Sequence, residues 1–277
     1  MSDNDFPSSD AIRKAEDQGL VFSEDKKTLK KCINKEIAEV VIPDSVTEIG
    51  YGAFYGCSSL TSVVIPNSVT EIGWRAFAGV QQVNSNNSKF KVCKAGGLVD
   101  VDHQILLYIP PCTTEYVLPD SVTKIGYGAF QGCTSLTSVV IPNSVTKIGG
   151  WAFYDCSSLT SVVLPDSVTE IGDGAFRNCE SLTSVVIPNS VTKIGSGAFY
   201  KCTSLTSVVI PDSVTKIGWT AFWGCTSLTS VVIPDQTRLS AFGCVKIFIP
   251  WHYLLKSLVG IFFLRILCLF WRKSPFG

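Results

Sequence analysis

Apolar and polar positions follow one 23-residue sentence along most of the chain: L-x-x-V-x-I-P-[DN]-S-V-T-x-I-G-x-x-A-F-x-x-C-x-S. Its prolines fall at Pro119, Pro142, Pro165, Pro188, Pro211 and Pro234. A fixed period of this length marks a solenoid, in which each copy forms one coil and only stacking buries a continuous core. In the copy at 136–158, alternation places Leu136, Val139 and Ile141 on the inner side of a short strand. Thr137, Ser138 and Val140 take the outer side. Pro142 ends the strand because it has no N–H to donate, and Asn143–Ser144 suits a side-chain-supported turn. Val145 and Ile148 re-enter the core on a second short extended leg. Phe153, Cys156 and Leu159 then recur three apart, as on a helical or 3₁₀ turn.

The first leg starts at Ile37, Leu60, Val83, Thr113, Leu136, Leu159, Leu182, Leu205 and Leu228, which predicts nine passes. Between Pro66 and Pro119 the spacing opens to 53, one ordinary copy plus one enlarged copy. The enlarged stretch contains GGLVDVDHQILLYIP (96–110), similar to QGLVFSEDKKTLKKC (18–32). Each reads as two apolar runs around a polar turn, hence a β-hairpin. Three parts follow. Residues 1–36 are an N-terminal segment with a partial enlarged hairpin coil. Residues 37–250 are the solenoid, with its enlarged hairpin coil at about 90–112. Residues 251–277 are an apolar C-terminal helix or tail. The N-terminus is then an enlarged coil with no obvious polar cap, which fits a piece of a longer chain. The fold class is a β-rich repeat solenoid of parallel strands stacked in register, with short helical or 3₁₀ turns. At a strand spacing of about 4.8 Å, nine coils make a parallel sheet roughly 40 Å long.

The strings L-x-x-V-x-I-P and S-V-T-x-I-G-x-x-A-F-x-x-C resemble the BspA-type leucine-rich repeat family over about 37–250. The resemblance implies a right-handed leucine-rich-repeat solenoid with a non-enzymatic surface, often displayed outside microbial cells and used for adhesion or protein binding. Enlarged hairpin coils like 18–36 and 90–112 are similar to ones in that family. The apolar tail departs from its pattern, and no leader is visible.

Charge adds no steering. The 23 basic residues balance the 23 acidic ones, which argues against nucleic acid or an anionic membrane surface as partner. MSDNDFPSSDAIRKAEDQG is polar and lacks the apolar core of a secretory signal. Family resemblance places the protein at the cell surface or outside the cell; a cytoplasmic location is the alternative. Among 11 cysteines, Cys133, Cys156, Cys179, Cys202 and Cys225 occupy the same place in successive copies. Zinc sites want local pairs such as C-x₂-C, which do not occur, and parallel Cβ vectors suit disulfides poorly. These are read as buried free thiols acting as small hydrophobes, with no metal and no cofactor expected. IGYGAF, IGDGAF and IGSGAF are turn glycines, since a phosphate loop could not recur in every coil. His103 sits beside Asp102 with Cys93 and Cys112 nearby in sequence, so a cysteine-dependent hydrolase centred on Cys112 and His103 is formally open. A solvated hairpin turn is the plainer reading. His252 has no evident carboxylate partner. NNS at 86–88 fits a glycosylation acceptor.

The outward strand positions hardly vary between copies, and identical ladders offer little specificity. Variation gathers beside the turn, at Tyr51, Trp74, Tyr127, Trp151 and Trp219, and at Tyr55, Tyr154, Tyr200 and Trp223. Such rings combine large apolar area with a polar tip, which suits recognition; the bland alternative is that they cover the convex side of each coil. Glu48, Glu71, Lys124, Lys147, Glu170, Lys193 and Lys216 form a charged column, read as a solvated edge of mixed sign. WHYLLKSLVGIFFLRILCLFW (251–271) is long enough to span a bilayer at about 20 residues, although Arg265 opposes that. A helix capping the open end of the solenoid and a sequence artefact are the other readings. The function expected is a non-enzymatic scaffold for a protein partner or an extracellular or host surface. The alternative is an intracellular structural repeat without a specific ligand.

Overall fold

A computed structural model describes residues 6–232 of the chain. The nine first legs are the strands Glu39–Val41, Ser62–Ile65, Val83–Ser85, Glu115–Val117, Ser138–Val140, Ser161–Val163, Ser184–Val186, Ser207–Val209 and Ser230–Val232. Within each sheet neighbours pair in parallel: Ser161 lies opposite Ser184, then Ser207, then Ser230, whereas Val63 lies opposite Val83 with the register slipped. Second legs are two-residue strands such as Lys147–Ile148, Glu170–Ile171 and Lys193–Ile194, paired in register. The first legs form not one continuous sheet but three, of three, two and four strands. The gap between Val83–Ser85 and Glu115–Val117 is where the enlarged coil intervenes.

Side chains double the backbone ladder. Thr183 donates both its N–H and its Oγ1 hydroxyl to the Thr160 carbonyl one coil earlier, and Thr206 does the same to Thr183. A second threonine column repeats this from Thr169 onto Thr146 and from Thr192 onto Thr169. The serine after Pro-Asp/Asn also bonds backwards: Ser144 Oγ reaches the Val122 carbonyl at 2.7 Å and Ser190 reaches Val168 at 2.7 Å. That serine staples successive coils together as well as ending its own strand.

The third side of each coil is a chain of hydrogen-bonded turns. Tyr154 N–H donates to the Trp151 carbonyl and Cys156 N–H to Phe153, the three-residue closure that the spacing predicts. No coil becomes a continuous helix there, because left-handed residues recur at two positions. One is held by Gly52, Arg75, Gly128, Trp151, Gly174, Gly197 and Thr220, the other by Gly56, Gly79, Gly132, Asp155, Asn178, Lys201 and Gly224. This geometry aims N–H groups forward: Phe153 donates to Ala175 and Phe176 to Ala198, each one coil later. In the legs the donors point both ways, backward as in Thr169 to Thr146 and forward as in Val63 to Gln82.

Inside, Val145, Ile148, Ala152, Phe153, Cys156 and Leu159 are fully buried, and their counterparts repeat in each coil. The thiols are more than small hydrophobes. Cys156, Cys179, Cys202 and Cys225 each donate Sγ–H to the carbonyl of the phenylalanine one coil before, at 3.1 Å.

Both predicted hairpins form, with Leu20–Phe22 antiparallel to Thr28–Cys32 and Leu98–Asp100 antiparallel to Ile105–Tyr108. In each, the second strand serves as a second leg: Thr28–Leu29 pairs in parallel with Glu48–Ile49, and Ile105–Leu106 with Lys124–Ile125. The turn that follows is shortened. Cys32 N–H reaches the Ala53 carbonyl and Ile109 N–H reaches Ala129, the bond that phenylalanine makes elsewhere. An end cap that the pattern did not reveal is also present. Helix Phe6–Asp17 buries Ile12 and Ala15 in one core with Leu20 and Phe22. The expected strand at 245–250, His252 and the apolar tail 251–271 lie outside the described residues.

Candidate functional site

The turn segment I-G-x-x-A-F-x-x-C presents its variable residues on one side of the solenoid. The first variable column runs Tyr51, Trp74, Tyr127, Gly150, Asp173, Ser196, Trp219. The third runs Tyr55, Ala78, Gln131, Tyr154, Arg177, Tyr200, Trp223. Trp151 belongs to neither, a correction to the column drawn from sequence. It occupies the left-handed position at φ 57°, where four sister coils carry glycine. Its ring turns back on Tyr154 at 4.7 Å, and the space above Gly174 admits it.

The nine aromatic residues divide into two kinds. Tyr51, Tyr55, Trp74, Trp219 and Trp223 are 61%, 52%, 60%, 73% and 37% exposed. Tyr127, Trp151, Tyr154 and Tyr200 are half-buried and brace the surface. Two arginines clamp the groups. The Arg75 guanidinium lies 4.7 Å from the Tyr55 ring centre and donates to Tyr51 Oη at 3.1 Å. Arg177 lies 4.2 Å from the Tyr200 ring and 5.6 Å from that of Trp151. Burial raises the Tyr154 phenol above its ordinary value, and neighbouring Asp155 raises it further.

Because the enlarged coil has a shortened turn, the coils on either side of it meet over the gap. Trp74 stacks on Tyr127 with ring centres 5.1 Å apart and planes 13° apart. Below this pair is a cleft of about 290 Å³ whose wall includes Ile72, Leu107, Lys124 and Lys147.

The charged column is sorted along the axis. Glu48 and Glu71 precede the seam; Lys124, Lys147, Lys193 and Lys216 follow it, with Glu170 as the one acid among them. Glu170 accepts Lys193 at 2.7 Å and approaches Lys147 at 3.6 Å. The Lys193 hydrogen bond, with the charges of both lysines, holds the Glu170 carboxyl below its ordinary range.

The other candidates separate. His103 pairs with Asp100 and not with Asp102: Nδ1 lies 2.9 Å from Oδ2, and the backbone N–H of His103 donates to Oδ1. Among the described residues neither Cys93 nor Cys112 hydrogen-bonds to that ring. Burial, aided by Cys112, pushes the Cys133 thiol up to about 12, and burial raises Cys156, Cys179 and Cys202 as well. No group of three or more histidine, cysteine or acidic side chains among the described residues can hold a metal ion. No helix among them is long and apolar enough to cross a membrane. Asn86 of the glycosylation triplet is exposed, whereas Asn87 is buried and donates Nδ2 to the Pro66 and Val69 carbonyls at 3.0 and 2.7 Å. Asn87 went unread in the sequence; its one signal was an asparagine-rich break in the repeat.

Comparison with known proteins agrees with this architecture. The chain is similar to a leucine rich cell surface protein from Faecalibacterium prausnitzii, at 28% identity and a TM-score of 0.65, over 76% of this chain and 64% of that one. It is similar to a leucine-rich repeat protein from Eubacterium ventriosum, at 29% identity and a TM-score of 0.63, over 71% and 54%. The pneumococcal vaccine antigen PcpA, at 20% identity and a TM-score of 0.64 over 76% and 61%, shares the fold alone. The chain thus spans less than two thirds of the length of each of these structures. No curated protein matches it. The family described as the BspA type leucine rich repeat region matches residues 26–94 and 111–229, in six copies. With the repeat and its stacking alike accounted for, this chain belongs to the BspA-type leucine-rich repeat family.

Proposed function

We propose that the chain is a non-enzymatic scaffold that binds a protein partner, or a surface outside the cell, through the exposed aromatic residues of its turn segments. One observation carries this reading. At the position of Tyr51, Trp74 and Trp219, sister coils hold Asp173 and Ser196 and stack just as well. The regular coils therefore need no ring there, and a tryptophan as open to water as Trp219 suits recognition. The absence of catalysis is supported by Cys133, Cys156, Cys179 and Cys202, whose burial raises their pKa and makes them poor nucleophiles. His103 is engaged by Asp100, away from any thiol. The cell-surface description of the Faecalibacterium relative supports a location outside the cell.

The intracellular structural reading draws on the four half-buried rings, which cover glycine-rich turns. A membrane-impermeant biotin reagent on intact cells separates the two, since adhesion requires labelling. For the binding itself, fluorescently labelled chain is applied to epithelial cells and to immobilised extracellular-matrix proteins. The double variant Trp219→Ser, Trp223→Ser should be retained about 30-fold less well, the loss of two modest anchors. Equal retention of that variant and of Tyr51→Ser, Trp74→Ser would reject the aromatic surface.

A further inference from the structure

The seam made by the enlarged coil combines an apolar hole with a mainly cationic rim, on which Glu170 is the one acid, and nothing in the repeat pattern requires the hole. Ile72 ends its sheet and is partly exposed, unlike the fully buried Ile49 and Ile171 of other coils. Leu107 is partly buried beside it, and the stacked Trp74–Tyr127 pair closes one side. Lys124 and Lys147 stand opposite each other on adjacent strands at the rim. Lys147 shares Glu170 with Lys193, while no carboxylate lies within ion-pair distance of Lys124 among the described residues. The cationic rail continues away from the cleft through Lys193 and Lys216, one residue per coil, at a strand spacing of about 4.8 Å.

We infer that this seam is the docking site for an acidic peptide segment of the partner, with one large apolar side chain seated in the cleft and carboxylates along the lysine rail. The inference rests on the scaffold reading and gives the partner its chemistry. The cleft of about 290 Å³ has room for an aromatic side chain, whose burial supplies the anchoring free energy. Four lysines facing one glutamate supply orientation and encounter rate. A basic or neutral segment would leave Lys124 unanswered beside Lys147, so the charge selects against it.

The probe is a fluorescein-labelled peptide, Glu-Glu-Phe-Glu-Asp-Glu, read by anisotropy on the full chain at low salt. Replacing its phenylalanine by serine should raise Kd by at least about tenfold. On the protein, Lys124→Glu with Lys147→Glu should do the same, and so should Leu107→Asp. Lys124 and Lys147 are exposed, so that pair keeps the test valid even where Leu107→Asp unfolds the chain. No saturable binding at millimolar peptide, equal binding of the serine peptide, or indifference to the lysine charge reversal overturns the inference. If the peptide fails while Trp219 and Trp223 still govern retention on cells, the docking site falls and the scaffold reading stands.

Discussion

From residue 113 to 232 each coil copies the last, whereas the stretch from 18 to 112 is broken by two enlarged coils. The phenylalanine core records the contrast. Phe153, Phe176, Phe199 and Phe222 stack with centres 5.0–5.3 Å apart and planes within 5°. Phe54 and Phe77 are 5.9 Å apart, and at the enlarged coil the stack gives way to edge contacts, Phe77 with Tyr108 and Tyr116 with Phe130. Core residues also fall into two clusters that divide at this hairpin, Leu98 and Tyr108 joining one, Val99 and Leu106 the other. Identical neighbours let one good packing arrangement be reused, but they also make every outward position the same. Where the copying fails, side chains replace missing ladder bonds, and a cleft with its own chemistry opens. Regularity provides cohesion; interruption provides individuality.

The largest test of this contrast is the ring stack itself. Phe176→Ala should lower stability by about 3–5 kcal/mol in urea unfolding, the usual cost of an excised core aromatic. Phe77→Ala should cost about 1 kcal/mol less, having one parallel partner and one edge partner. Equal losses would show that the regular half gains nothing from its geometry. Next comes the repair at the seam: Asn87→Ala strands the Val69 carbonyl, takes one of two donors from Pro66, and should cost about 2 kcal/mol. Hydrogen exchange at 66–73 should accelerate while 139–210 is unchanged. A smaller effect, about 1 kcal/mol, is expected for Cys179→Val, which keeps apolar volume but removes the Sγ–H donated to Phe153. Val80 already fills this position in the coil before the seam, so an undiminished melting temperature would mean the thiol bond is idle.

The smallest effect is electrostatic. The folded-state pKa of Glu170 is lowered, so its pairing stabilises the fold above the ordinary carboxylate value and fades as pH falls through the lowered one. The Lys193 pKa is raised, chiefly by its hydrogen bond to Glu170, so its share holds below the ordinary lysine value and is lost as pH rises through the raised one. The difference in melting temperature between the native chain and Glu170→Gln should therefore be greatest near neutrality and shrink at both extremes. Because the pair is exposed, salt should shrink it too.

Much of this was legible in the residues because repetition multiplies weak signals. Leu136, Val139 and Ile141 alternate too briefly to decide a strand alone; the same alternation in several sister copies does. The hairpins stood out through paired apolar runs about 23–28 and 101–104. The helix Phe6–Asp17 did not, since Ile12 and Ala15 are a thin apolar stripe with no copy to reinforce it. Trp151 was placed one column off because its neighbour Gly150 leaves an equally good local alignment. The cleft was invisible for a different reason. It depends on Trp74 meeting Tyr127 across an intervening coil, and no periodic rule encodes which residues touch over an interruption.

The opposed aim of the N–H groups has a further consequence. Along the axis some backbone dipoles run one way and others the opposite way, as Thr169 to Thr146 against Val63 to Gln82 and Phe153 to Ala175 show. A long α-helix accumulates partial charge at its tips; here the contributions oppose one another. Coils can thus be duplicated or deleted without building an axial field, leaving the array free to change length by whole copies.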